Sequence, residues 1–65
     1  MNHPFITVFK GIRGYFAVLM AYDTELKYHT PLNSSDFSYS TIEEATSDAL
    51  QWACIEEIEF KRRGA

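Results

Sequence analysis

The longest unbroken apolar stretch of the chain is Tyr15-Phe16-Ala17-Val18-Leu19-Met20-Ala21-Tyr22. Its length suits a strand and falls well short of the ~20 residues that a membrane-crossing helix needs. Both alternating faces of such a strand are apolar, the pattern of a strand covered on two sides. Just before it, Phe5-Ile6-Thr7-Val8-Phe9-Lys10 is rich in β-branched and aromatic residues, and Gly11-Ile12-Arg13-Gly14 separates the two segments. Two strand-like segments joined by a short, glycine-bounded loop predict a β-hairpin. Pairing Lys10 with Tyr15 sets Phe9 opposite Phe16, Thr7 opposite Val18 and Phe5 opposite Met20. One face then carries Phe5, Phe9, Phe16, Val18, Met20 and Tyr22. The other carries Ile6, Val8, Ala17, Leu19 and Ala21.

Asp23-Thr24 is a turn signal, after which Glu25 to Thr30 are expected to return as a third strand that Pro31 stops. A two-residue loop would put Leu26 and Tyr28 beside Ala21 and Leu19, and a three-residue loop would put them on the Met20 face, so its register stays open. Residues 32–38 read as a loop. Ser40-Thr41-Ile42-Glu43 has capping-box spacing, which predicts a helix from about Thr41. At ~100° per residue, Ile42, Ala45, Ala49, Trp52 and Ala53 share one stripe. The stripe breaks near residue 55, and Glu57-Ile58-Glu59-Phe60-Lys61 alternates with period two, as a short fourth strand would. The predicted fold, over residues 1–65 as a single small domain, is α+β: an antiparallel sheet of three or four strands packed on one face by one helix in the C-terminal half.

One helix covers one face. Three alanines let its axis approach the sheet closely, and large residues opposite small ones fill the space. That argument places Phe5, Phe9, Phe16, Val18 and Met20 under the helix. It leaves Ile6, Val8, Ala17, Leu19 and Ala21 as an uncovered face for self-association or a partner.

Size sharpens this expectation. A chain of 65 residues is small enough to be marginal as a monomer, and its single Cys54 excludes an intramolecular disulfide. Oligomerisation, as a homodimer, is the expected staple. The net charge of −3 disfavours a sequence-independent grip on phosphates, so nucleic acid is not the expected partner. Residues 42–60 hold six carboxylates and no cation, and Lys61, Arg62 and Arg63 follow at once. Two readings fit: a solvated helix face with cations near its C-terminal end, or an acidic surface, Glu44 and Asp48 with Gln51 and Ile55 between turns, that docks on a basic partner. The N-terminus shows no basic region followed by an apolar stretch and a cleavage site. A cytoplasmic setting without membrane association is expected.

Residues for catalysis are sparse. His3 and His29 have no Cys or second His at metal-ligand spacing, so no metal is expected. Cys54 reads as a small mid-helix hydrophobe. Glu43-Glu44 and Glu56-Glu57 are adjacent on a helix, point about 100° apart and do not converge on a substrate. Gly11-Ile12-Arg13-Gly14 lacks the Lys-Ser/Thr of a phosphate loop. Neither an enzyme nor a cofactor is expected.

The hairpin, a third strand and then Phe37-Ser38-Tyr39-Ser40-Thr41-Ile42-Glu43-Glu44-Ala45 leading into a helix with Trp52-Ala53 resemble the three-stranded-sheet-plus-helix domains of the AP2 and integrase arm-binding type. There an aromatic, a Thr and a Glu-Ala pair likewise mark the helix entry. The DNA-binding families carry several Arg or Lys on the exposed sheet face, whereas these two strands offer only Lys10, with Arg13 in the turn and Lys27 beyond. The run Gly14-Tyr15-Phe16-Ala17-Val18-Leu19, with Thr41, Glu43-Glu44-Ala45, Ala49 and Trp52-Ala53, is also similar to short phage and prophage proteins. That resemblance implies a small accessory protein that binds and blocks a host protein, as anti-CRISPR proteins and other host-takeover inhibitors do. Members of that class are tiny, often acidic, free of cofactors and frequently dimeric.

Overall fold

In the computed structural model, which describes residues 3–62, the two apolar segments form an antiparallel hairpin, with β1 at Phe5–Gly11 and β2 at Gly14–Asp23. Phe5 lies opposite Met20, Thr7 opposite Val18, Phe9 opposite Phe16 and Lys10 opposite Tyr15. This is the register that side-chain alternation predicts. Gly14 closes the hairpin with φ +130°, and a Cβ there would overlap the Tyr39 carbonyl oxygen. The crowding has a cause: Tyr15 N–H donates to the Tyr39 carbonyl at 2.8 Å and Tyr39 N–H to the Tyr15 carbonyl at 2.7 Å, which ties a distant loop to the hairpin end.

The third strand, β3, spans Tyr28–Ser34, later than expected. Glu25 and Leu26 are taken up by the turn, because the Asp23 carboxylate accepts from both their backbone N–H groups at 2.9 and 3.1 Å. Lys27 takes φ 63° and donates its N–H to the Asp23 carbonyl at 2.7 Å. Tyr28 therefore pairs with Asp23, and His29 with Tyr22. Pro31 does not stop the strand. It lies opposite Met20 on the edge of the sheet, where a proline removes no ladder bond. The register shifts between Leu19 and Met20, paired with Asn33 and Pro31, so Leu32 is an extra, exposed residue.

The helix, α1, spans Ile42–Glu56, and Thr41 is its N-cap with an extended backbone. The capping box sits one residue later than expected: Glu44 N–H donates to Thr41 Oγ1 at 3.3 Å, and the Glu44 carboxylate accepts from the Thr41 and Ser40 hydroxyls, each at 3.1 Å. Glu57, in the left-handed region at φ 58°, ends the helix by donating to the carbonyls of Ala53 and Cys54. The chain then returns as β4, Glu59–Phe60, paired in parallel with Phe5 and Ile6 of β1. The sheet is mixed, in the order β3-β2-β1-β4. The last turn of α1 holds no cation. Lys61 lies instead 5.1 Å over the Phe5 ring, and Arg63 is outside the described residues.

The helix packs on the face opposite to the one expected. Ile6 and Ala17 are completely buried against Ala49 and Ala53, with Val8, Leu19, Trp52, Ile58 and Phe60 packed around them. Ala21 is half-buried on the same parity of β2. The physical reason is distance. Ala45, Ala49 and Ala53 bring the helix backbone close to the sheet, and only a small or aliphatic strand surface fits into so thin a layer. The remaining volume is filled from the flanks by Trp52, Ile58 and Phe60, so no phenyl ring is needed beneath the alanines. Ile42, assigned to the stripe, is half exposed.

Gly14→Ala is expected to destabilise the fold by about 2 kcal/mol or more, because positive φ and the Tyr39 carbonyl both oppose a Cβ. Gly11→Ala should cost less, since a Cβ there meets chiefly the edge of the Phe16 ring, which can move. Chemical denaturation of the two variants checks the ranking.

Candidate interaction surface

The five residues expected on the uncovered face do not form one. Ile6 and Ala17 have no exposure, Val8 and Leu19 pack onto that core, and Ala21 shares their side of the sheet. The open face is the other one, with Phe5, Thr7 and Phe9 from β1 and Phe16, Val18, Met20 and Tyr22 from β2. Among the described residues no other element lies over it.

This face covers its own centre. Val18 and Thr7, paired across the strands, are buried although no helix lies on them, while the Phe5, Phe9, Phe16 and Met20 side chains around them are half-buried. The Phe9 and Phe16 rings stack with centroids 6.3 Å apart. His29 of β3 meets Phe5 at 4.8 Å and Tyr22 edge-on at 5.3 Å, and its Nε2 is 2.8 Å from the His3 carbonyl oxygen. The result is an aromatic surface that runs from β3 to β4, with Lys61 at the β4 end.

Two hollows adjoin the sheet. One, of about 200 Å³, is on the open face and is lined by Phe5, Thr7, Phe9, Met20, Lys61 and Arg62. Thr7 Oγ1 is buried and has no hydrogen-bond partner among the described residues. The other, of about 330 Å³, lies between the helix and the β1–β4 edge, against Val8, Ile42, Thr46, Leu50, Phe60 and Arg62.

Glu44 and Asp48, expected to face a partner, are largely engaged within the chain. Glu44 completes the helix cap. Asp48, half-buried, lies near enough to the Tyr39 phenol for its charge to act on it. The Tyr39 phenol is held above its ordinary value of 10.0, first by desolvation, then by the Asp48 charge, and least by Glu44. These contacts secure the loop before the helix, which Ser35 also anchors: its N–H donates to the Ala17 carbonyl at 2.9 Å and its Oγ accepts from Ala17 N–H at 3.1 Å.

Cys54 is an exposed free thiol, not a packed hydrophobe. Among the described residues no cluster of His, Cys, Asp and Glu could hold a metal ion, and no helix is long and apolar enough to cross a membrane. No family model, curated protein or solved structure matches the chain. Its surfaces therefore carry the functional argument.

Sequence reasoning identified neither Thr7 nor the pair Lys61 and Arg62 as surface-defining. A lone Thr among apolar strand residues was the available signal for the first. The second depended on where β4 docks.

Asp48→Asn is expected to bring the Tyr39 phenol back toward its ordinary range, as followed by the pH dependence of its ring resonances. The sign follows from linkage. A phenol whose folded value is raised adds stability that is present below pH ~10 and is lost as pH climbs through the folded value. The variant should therefore show a weaker alkaline loss of stability.

Proposed function

We propose that the chain is a non-enzymatic protein-binding module, a phage-type inhibitor that acts in the host cytoplasm by occupying a host protein through the open aromatic face of its sheet. The observation that carries this reading is the set Phe5, Phe9, Phe16, Met20 and Tyr22, gathered on a sheet face over which no other described element lies. Aromatic and Met side chains on a pre-ordered strand surface are the residue types that dominate protein contacts, because they bury much area for little lost freedom. Lys61 and Arg62 line the hollow at one end of this face, with Glu59 beside Phe5, so charged groups of both signs rim the aromatic surface. The contact surface is therefore the sheet, and the acidic helix keeps the fold together at its N-terminal end.

A second reading is supported by the slenderness of the core. Of the six buried hydrophobics among the described residues, Ile6, Ala17, Val18, Ala45, Ala49 and Ala53, four are alanines. A second copy packed on the same open face would supply the apolar burial that so small a chain lacks.

Both readings are tested by one pair of variants. Met20→Glu is expected to stay folded by circular dichroism and to lose the host protein retained by the wild-type chain in affinity purification. If the second copy is the partner, the same variant shifts a sedimenting dimer to monomer. Leu19→Glu is expected to destabilise the domain more than Met20→Glu does, since it sets a carboxylate against the flank of the helix-packed core. A Leu19→Glu chain no less stable than Met20→Glu, or a Met20→Glu chain with unaltered partners, would sink the assignment. Tight binding of a random single-stranded oligonucleotide by fluorescence anisotropy would replace it with a nucleic-acid platform, since open aromatic rings beside cations also stack bases.

A further inference from the structure

The hollow of about 330 Å³ on the helix side of the sheet has two walls of different make. One is a flank of α1, where Ile42 and Leu50 are 47% and 50% exposed. The other is the strand edge, where Val8 and Phe60 pack on the core and also line the hollow. Both walls are therefore apolar at their centre. Each also carries one charge. Of the four carboxylates of α1, Glu43, Glu44, Asp48 and Glu56, only Glu43 lines the hollow. At ~100° per residue Glu44 and Asp48 fall on the opposite flank, toward Tyr39. The strand wall holds Arg62, at the sheet edge, where it also lines the hollow of the open face. Neither Glu43 nor Arg62 is in an ion pair among the described residues.

Opposite charges on two apolar walls are what a two-fold axis can use. Rotation by half a turn sets the helix wall of one copy on the strand wall of the other, and every contact is then made twice. Walls of one sign would repel a second copy, whereas these attract it. We infer that this flank is a homodimer interface and that its occupant is a second copy of the chain. Ile42 and Leu50 of each protomer lie against Val8 and Phe60 of the partner subunit, and Glu43 pairs with Arg62 of the partner subunit. The core supplies the reason for it: four of its six buried hydrophobics are alanines, and covering Ile42 and Leu50 adds apolar burial that alanines do not give. The aromatic face of the sheet stays open in both protomers, so the dimer presents it twice. The inference is independent of what that face binds.

Sedimentation of the full chain over about 0.01–1 mM is expected to show a monomer–dimer equilibrium. Leu50→Asp should stay folded by circular dichroism, since Leu50 is half exposed, and weaken the dimer about a hundredfold or more. Glu43→Arg and Arg62→Glu should each weaken it about tenfold by setting like charges together, and the double swap should return it to within about threefold of the wild-type chain. If Leu50→Asp fails to fold, the charge swaps decide. Met20→Glu should leave this dimer intact. A chain that is monomeric over the whole range overturns the interface, as does a folded Leu50→Asp chain that dimerises normally or a double swap without rescue. A dimer that Met20→Glu dissociates also overturns it and assigns the second copy to the aromatic face, so failure here is distinguished from failure of the open-face reading.

Discussion

The packing of Ala49 and Ala53 against Ile6 and Ala17, with Ala45 buried one turn earlier, is the contact on which the rest of the architecture depends. Three alanines at i, i+4 and i+8 make one smooth, nearly featureless helix edge, and a smooth edge packs best on a shallow surface. The hairpin has two apolar faces of different depth, one of aliphatic residues and alanines and one of phenyl rings. The shallow one accepts the helix. Once it does, the rings have to lie on the other side, because a one-residue slip in either strand would exchange every side chain between faces. The position of β4 follows as well. The helix ends at a left-handed Glu57, and Ile58 and Phe60 drop onto the flank of the same core.

That arrangement separates two kinds of surface. The helix side holds the fold, and Glu44 is committed there to the cap. The sheet side holds Phe5, Phe9, Phe16 and Tyr22, with His29 between Phe5 and Tyr22 and a cation over Phe5. An acidic chain thus brings Lys61 and Arg62, next to Glu59, to one end of the sheet. Net charge alone concealed this, because the cations follow the helix in sequence and yet lie beside β1 in space.

Much of the fold was legible in the chain. Alternation over Phe5–Lys10 and Tyr15–Tyr22 fixed the hairpin register to the residue, and hydroxyl-x-x-Glu spacing marked the helix start to within one position. The failures have separate causes. Asp23 drew Glu25 and Leu26 into a side-chain-capped turn, which delayed β3. Pro31 lies at an edge position that tolerates it, so it did not end the strand. The large-against-small argument for the helix face treated a pair of surfaces in isolation and left out Trp52, Ile58 and Phe60, which fill the space beside the alanines.

What the sequence by itself determined is the set of elements and the membership of each strand face, because these follow from local periodicity: two residues per repeat in a strand and 3.6 in a helix. Which face the helix covers, where the cations come to lie and why Thr7 is buried without a partner were decided only by the tertiary structure. Those outcomes depend on packing among residues far apart in the chain, and periodicity carries no information about which of two apolar faces a helix will meet. The candidate interaction surface lay wholly in that second category. Alternation put Phe5, Phe9, Phe16, Val18, Met20 and Tyr22 on one face, but the helix was expected over that face, and only the docking of α1 and β4 made it the exposed side.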